Sequence, residues 1–124
     1  LRLIETPCYI QAGREDHIAP AESVFRLTRH LRGDNLFLLA GSGHIAGVVN
    51  PPSAKKYQYW TNSDRVDNLD EWMEGAKETP GSWWPHFSAW LAKQSKGMIE
   101  ARTPGKKLGT IEDAPGSYVK AKGK

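Results

Sequence analysis

An α/β fold with parallel strands in its sheet is predicted by three features of this 124-residue chain. Two short, unbroken apolar runs, Cys8-Tyr9-Ile10 and Leu36-Phe37-Leu38-Leu39, read as strands covered on both faces, because a strand with one wet face would alternate apolar and polar residues. Between the runs, Val24, Leu27 and Leu31 recur at the spacing of one helix face. Each run also ends in a loop that carries polar chemistry, Gly13-Arg14-Glu15-Asp16-His17 after the first and Gly41-Ser42-Gly43-His44 after the second. Strand, helix, strand is a βαβ unit. Its crossover sets the two strands parallel, so both loops leave the sheet at the same edge, where open α/β sheets bind ligands.

The elements follow in order. The first strand lies between Pro7 and Gly13, too short a stretch for a helix. Pro20 suits the first turn of the helix that follows, and Gly33, just past Leu31, supplies its stop. Asn35 to Ala40 forms the second strand, closed by Gly41-Ser42-Gly43. Asn50-Pro51-Pro52 ends any helical turn begun at Ile45-Ala46-Gly47, and polar residues dominate as far as Asn68. Tyr57, Tyr59 and Trp60 make this stretch aromatic without a helix or strand period, and a loop lining a substrate mouth or a dimer contact is expected there. Asn68 with Glu71 reads as a capping-box start, after which Leu69, Trp72, Met73 and Ala76 share a helix face. Ser82 is the N-cap of a last helix, with Pro85 in its first turn, Trp83, Phe87, Trp90 and Leu91 on one stripe facing the sheet, and Gly97 at its end. From Ala101 onward Pro, Gly, Lys and Thr dominate. The expected organisation is a folded part over residues 1–100 and an extended basic tail over 101–124.

Charge and cysteine content exclude several classes. The net charge of +3 comes from the last third, where Lys93, Lys96, Arg102, Lys106, Lys107, Lys120, Lys122 and Lys124 outnumber Glu100, Glu112 and Asp113. No aromatic platform is interleaved with them, so the tail reads as solvated and no nucleic-acid partner is expected. Cys8, the one cysteine, forms no internal disulfide, and on a buried strand it behaves as a small hydrophobe. The apolar runs fall far short of the roughly 20 residues a membrane span needs, and the start at Leu1 shows no leader pattern. A cytoplasmic protein is expected, and the chain reads as part of a longer one.

Asp16 and His44 are the candidate catalytic residues. A carboxylate that binds one imidazole nitrogen fixes the tautomer and leaves the other nitrogen to take a proton from a nucleophile. Glycines and Ser42 around His44 permit a sharp loop and close approach of substrate. An acid after one strand and a histidine after the next is also how the last part of an α/β-hydrolase sheet completes a triad in the order nucleophile, acid, histidine. The residues alone leave a second reading open, in which Asp16 caps the helix at Pro20 and His44 is an incidental loop histidine. His17 is expected to support the site from behind its reacting groups or to serve the fold, since neighbours on an extended loop point apart. His30 and His86 fall within helices and read as surface or packing histidines. No histidine or cysteine shows metal-site spacing, and no phosphate-binding glycine loop follows a strand, so no metal is expected and the cofactor-binding residues are unknown.

Four motifs in sequence order now point to one family: Gly13-Arg14-Glu15-Asp16-His17-Ile18 with Pro20; Ser42-Gly43-His44-Ile45-Ala46-Gly47-Val48-Val49-Asn50-Pro51-Pro52; Pro80-Gly81-Ser82-Trp83-Trp84; and Ala114-Pro115-Gly116-Ser117-Tyr118-Val119-Lys120. The chain resembles the poly(3-hydroxyalkanoate) synthases over nearly its whole length. The form of the second motif is closer to the class that polymerises short-chain monomers. The resemblance implies the C-terminal portion of an α/β-hydrolase fold, contributing its last two parallel strands with flanking helices. It implies that Asp16 and His44 are acid and histidine of a Cys-Asp-His triad whose cysteine sits on a Gly-x-Cys-x-Gly elbow, which nothing in this sequence matches, Cys8 included. It further implies a parent acyltransferase that takes (R)-3-hydroxyacyl-CoA, with the coenzyme A thioester as substrate and no other cofactor. That parent would release CoA and extend a polyester as a homodimer on cytoplasmic granules. This chain alone would be inactive. Two other readings stay open: a serine esterase or depolymerase with the same acid and histidine, and a non-catalytic granule-binding or dimerisation module.

Overall fold

In the computed structural model, which describes residues 3–103 and 105–123, the two apolar runs lie side by side as the strands β1 (Cys8–Gly13) and β2 (Asn35–Ala40). They pair in parallel, with Cys8 opposite Asn35 and Gly13 opposite Ala40, so the Asp16 and His44 loops start level with one another. A third strand, β3 (Gln58–Thr61), runs antiparallel to β2, and a fourth, β4 (Lys77–Pro80), antiparallel to β3. The strand order is β1-β2-β3-β4.

Successive side chains of a strand point to opposite faces, and here both faces are covered. Ile10 and Ala12 of β1, Phe37 and Leu39 of β2 and Trp60 of β3 turn to one side. There they meet Phe25 of α1 (Ala21–Phe25) and Trp72 of α2 (Leu69–Glu74). Leu38 and Ala40 turn to the other side, packing with Tyr9, Leu36, Tyr59, Trp83 and with Phe87 of α3 (Trp84–Gln94). The unbroken apolar runs are thus explained by a sheet sandwiched between helices.

The helical segment after Pro20 is shorter than its pattern predicts. Five residues of α-helix pass at Arg26 into a 3₁₀ turn over Arg26–Arg29, and Leu31 lies beyond both. Asn35 Nδ2 donates to the carbonyls of Thr28, Leu31 and Gly33, taking up groups that a longer helix would have paired internally. At α2 the expected cap is present: Asn68 Oδ1 accepts the Glu71 N–H at 2.9 Å, while Glu71 reaches back to the Asp67 N–H. Ser82 Oγ accepts the Trp84 N–H at the start of α3, and Pro85 occupies its first turn, whereas Leu91 faces solvent.

Two expectations are corrected. The sheet has four strands where two were expected, because β3 and β4 are too short for a period to show and β4, Lys77-Glu78-Thr79-Pro80, has no apolar side chain apart from its proline. Trp60 does not line a mouth; at 4% exposure it belongs to the core, and Tyr59 packs on the opposite face. Pairing with β2 and β4 is what turns a loop-like sequence into a strand.

The chain divides into two units, Leu1–Gln94, which holds the sheet, and Ser95–Lys124. Within the second, the Glu112 carboxylate accepts the Ser117 N–H at 2.9 Å and its hydroxyl at 3.1 Å, just before a 3₁₀ turn at Tyr118–Lys120. Among the described residues no helix is long and apolar enough to cross a membrane.

One histidine is tied into the α3 face. His86 Nδ1 lies 2.8 Å from the Tyr9 hydroxyl, beside Tyr59. Burial lowers the His86 pKa, as does the charge of Lys93, and burial raises that of Tyr9. A histidine whose folded pKa is depressed contributes stability above its ordinary value of 6.5, and that contribution is lost as the pH falls through the folded pKa. The His86 Cε1 proton resonance is therefore expected to titrate with a midpoint below 6.5, with loosening of the Tyr9–Phe87–Trp90 cluster at that acid transition. A midpoint at or above 6.5 would contradict this placement.

Candidate active site

Asp16 is held by its own loop. Its Oδ1 accepts the N–H groups of Ile18 and Ala19, each at 2.9 Å, closing an Asx turn. The N-cap of α1 is Pro20, with no side-chain cap, so Asp16 does not cap that helix. Its other oxygen, Oδ2, meets His44 Nδ1 at 2.8 Å. The Asp16 side chain is 7% exposed and that of His44 47%. The Ala19 N–H holds the Asp16 carboxyl below the usual carboxylate range; burial opposes this, and His44 and the Ile18 N–H add to it. An ionised Asp16 has only acceptor capacity, so the Nδ1 between them carries the proton and Nε2 is left as the basic nitrogen.

Backbone bonds lock the two loops together. The Arg14 N–H donates to the Ala40 carbonyl at 2.8 Å and the Glu15 N–H to the Ser42 carbonyl at 3.1 Å, extending the β1–β2 ladder past its end. The Arg14 guanidinium lies 4.9 Å from the centre of the Trp60 ring, a cation–π contact that pins the acid loop to the sheet. His44 rides on a single turn in which the Gly47 N–H bonds the Gly43 carbonyl at 2.9 Å. A side chain at Gly47 would place its Cβ 2.9 Å from the carbonyl oxygens of both Gly41 and Gly43, so this turn requires glycine. From the other side, Ser82 Oγ donates to the Asn50 carbonyl, Trp83 Nε1 to that of Gly47 at 2.9 Å and Trp84 Nε1 to that of Val48 at 3.0 Å.

Asp16 and His44 open on a cavity of about 390 Å³ lined by Gln11, Val24, Ile45, Val48 and Val49, a mainly apolar wall beside one imidazole and one carboxylate. Such an arrangement is fitted to withdraw a proton from a group presented at Nε2 beside an apolar chain. Neither Cys8 nor Ser42 presents one. Cys8 begins β1, roughly 16 Å along the strand from Gly13, and its thiol donates to the Thr6 carbonyl. Ser42 makes no hydrogen bond to His44 among the described residues.

The chain is 52% identical over 120 residues to the poly(3-hydroxyalkanoate) polymerase subunit PhaC of Rhizobium etli and 50% identical over 119 residues to that of Rhizobium meliloti, each match covering 96% of this chain. To the same subunit of Cupriavidus necator it is 44% identical over 124 residues. The chain belongs to the poly(3-hydroxyalkanoate) polymerase family. It spans about a fifth of the length of these curated relatives, 19% to 21%. No protein-family model matches it.

Within this polymerase segment the remaining histidines stand apart. His17 is exposed, and no hydrogen bond joins its ring to Asp16 or His44 among the described residues. His30 is exposed at the end of the 3₁₀ turn, and His86 lies on the α3 face. No group of three or more His, Cys, Asp or Glu side chains suited to a metal ion occurs among the described residues. The residues that sequence reasoning missed are Ser82, Trp83 and Trp84. Apolar periodicity marks Trp83 as core, Trp84 falls outside that stripe, and no local signal indicates that the two indole N–H groups reach the turn after His44.

Proposed function

We propose that this chain supplies the acid and the base of a Cys-Asp-His triad in a polymerase of α/β-hydrolase architecture that makes poly(3-hydroxyalkanoate) from (R)-3-hydroxyacyl-CoA. The observation that carries this reading is the 2.8 Å bond between His44 Nδ1 and Asp16 Oδ2 in a chain half identical to such polymerases. Support for the hydrolase architecture comes from two parallel strands delivering acid and histidine at one sheet edge, in the order expected after a nucleophile elbow.

His44 Nε2 takes the proton from the thiol of a cysteine supplied by sequence outside this chain, and the thiolate adds to the carbonyl carbon of the CoA thioester. The bond to the CoA sulfur breaks, CoA leaves with the proton returned by the imidazolium, and the acyl group stays on the cysteine. His44 then takes the proton of a 3-hydroxyl, whose oxygen attacks the acyl carbon to form the ester and release the cysteine sulfur. Asp16 keeps Nδ1 protonated throughout and stabilises the imidazolium. The cavity beside His44 suits the short alkyl chain of the monomer. The full-length enzyme acts as a homodimer at the surface of cytoplasmic polyester granules in this reading.

The test uses the full-length polymerase with (R)-3-hydroxybutyryl-CoA, following CoA release and the mass of the acylated protein. His44→Gln is expected to lower CoA release by about 10³-fold or more, as when a triad base is removed. Acylation on a serine would move the assignment to the esterase reading, and undiminished CoA release by His44→Gln would overturn the triad.

A further inference from the structure

The turn that carries His44 has the same problem as the end of any short helical turn: its last carbonyls point away from the chain that made them and have no partner within it. Here Gly47 bonds back to Gly43, and Val48 and Val49 both bond back to Ile45, which leaves the carbonyls of Gly47, Val48 and Asn50 facing outward. All three are taken by side chains of consecutive residues. Trp83 Nε1 takes Gly47, Trp84 Nε1 takes Val48 and Ser82 Oγ takes Asn50. Trp83 and Ser82 are both buried, at 8% exposure each.

Indoles make good clamps. Each has two side-chain torsions and one N–H whose direction is fixed by the ring, so a packed indole locates a carbonyl in direction as well as distance. Trp83 is fixed in turn, stacked on Tyr9 and Trp84 with ring centres 6.1 and 5.2 Å away. The chain of contacts thus runs from the packed face of the sheet, through two N–H groups, to a turn in which His44 stands three residues before the Gly47 carbonyl and four before that of Val48.

We propose that Trp83 and Trp84 are positioning residues for the reaction, holding the turn so that the His44 ring meets Asp16 and turns Nε2 toward the cavity. The proposal rests on the triad reading given above, and it assigns to the indole N–H groups a part beyond filling the core. They touch neither the reacting atoms nor Asp16.

The decisive variants are Trp83→Phe and Trp84→Phe in the full-length polymerase, which keep an aromatic ring and remove the N–H. Trp90→Phe is the control: the Trp90 ring packs on Tyr9 and Phe87 and bonds no carbonyl of the His44 turn. For Trp83→Phe we expect kcat to fall by about 10-fold or more, with KM changed by less than about 2-fold, because a slight displacement of the base slows chemistry more than it weakens substrate binding. In this chain, the low-field proton resonance of His44 Nδ1–H is expected to move upfield or broaden in Trp83→Phe and, to a lesser degree, in Trp84→Phe, and to stay in place in Trp90→Phe. Kinetics and resonance like those of the parent, or losses no larger than those of Trp90→Phe at equal thermal stability, would overturn the clamp. Full activity of His44→Gln would instead sink the triad reading, and the resonance would still report on the clamp. Trp84→Phe keeps the proposal testable if Trp83→Phe fails to fold, since Trp84 is 41% exposed and its ring is less needed for packing.

Discussion

Replacing Asp16 by Asn in the full-length polymerase is expected to lower turnover by about 10³- to 10⁴-fold while leaving the protein folded. The change is nearly isosteric. Its amide oxygen can still accept the N–H groups of Ile18 and Ala19, so the Asx turn persists. What changes is the end that faces His44. An amide NH₂ in place of Oδ2 donates to Nδ1 at the 2.8 Å position, which drives the ring proton to Nε2 and removes the basic nitrogen from the side that needs it. The measurements are kcat, the thermal midpoint and the ¹⁵N shifts of His44, which report the tautomer. A variant with parental kcat would refute the orienting role, and one that does not fold would show that the carboxylate is needed for the turn.

The pH dependence has a defined sign. Asp16 has a folded pKa below its ordinary value of 3.8, so its contribution to stability is present above that value and is lost as the pH falls through the folded one. In Asp16→Asn this acid-side dependence is expected to disappear.

The largest effect on stability is expected at Trp72. It is 2% exposed, lies edge-to-face on Phe37 with centres 5.0 Å apart, and approaches Phe25 at 6.3 Å. Removing the indole empties the space it fills among Phe25, Phe37 and the rest of the core on that face of the sheet. Trp72→Ala is expected to cost about 3–5 kcal/mol. Against a typical domain stability of about 5–15 kcal/mol, that is enough to populate the unfolded state in a marginal case. A urea titration of this chain should show a lower midpoint with an unchanged slope. A loss below about 1 kcal/mol would mean that the indole is not enclosed as described.

The strongest sequence signals were those that repeat over several residues or that involve special backbone chemistry. The runs Cys8-Tyr9-Ile10 and Leu36–Leu39 announced β1 and β2, because only a doubly covered strand stays apolar at every position. Asn68 with Glu71 announced α2, since capping is local and a side-chain oxygen reaches only its own first turn. β3 and β4 gave no such signal. Gln58-Tyr59-Trp60-Thr61 owes its strand geometry to partners more than a dozen residues away, so its local sequence carries no strand period and reads as a loop.

The candidate site divides along the same line. By themselves the residues determined two buried parallel strands, the loops bearing Asp16 and His44, and the family to which the motifs point, because these depend on composition and order along the chain. Only the tertiary structure decided that Asp16 turns one oxygen to its own loop and the other to His44, and that Trp83 and Trp84 reach back to the carbonyls behind the imidazole. The physical reason is one of range. Periodicity and capping act within a few residues, whereas a hydrogen bond between residues 28 or 36 positions apart exists only after packing has brought their atoms within 3 Å.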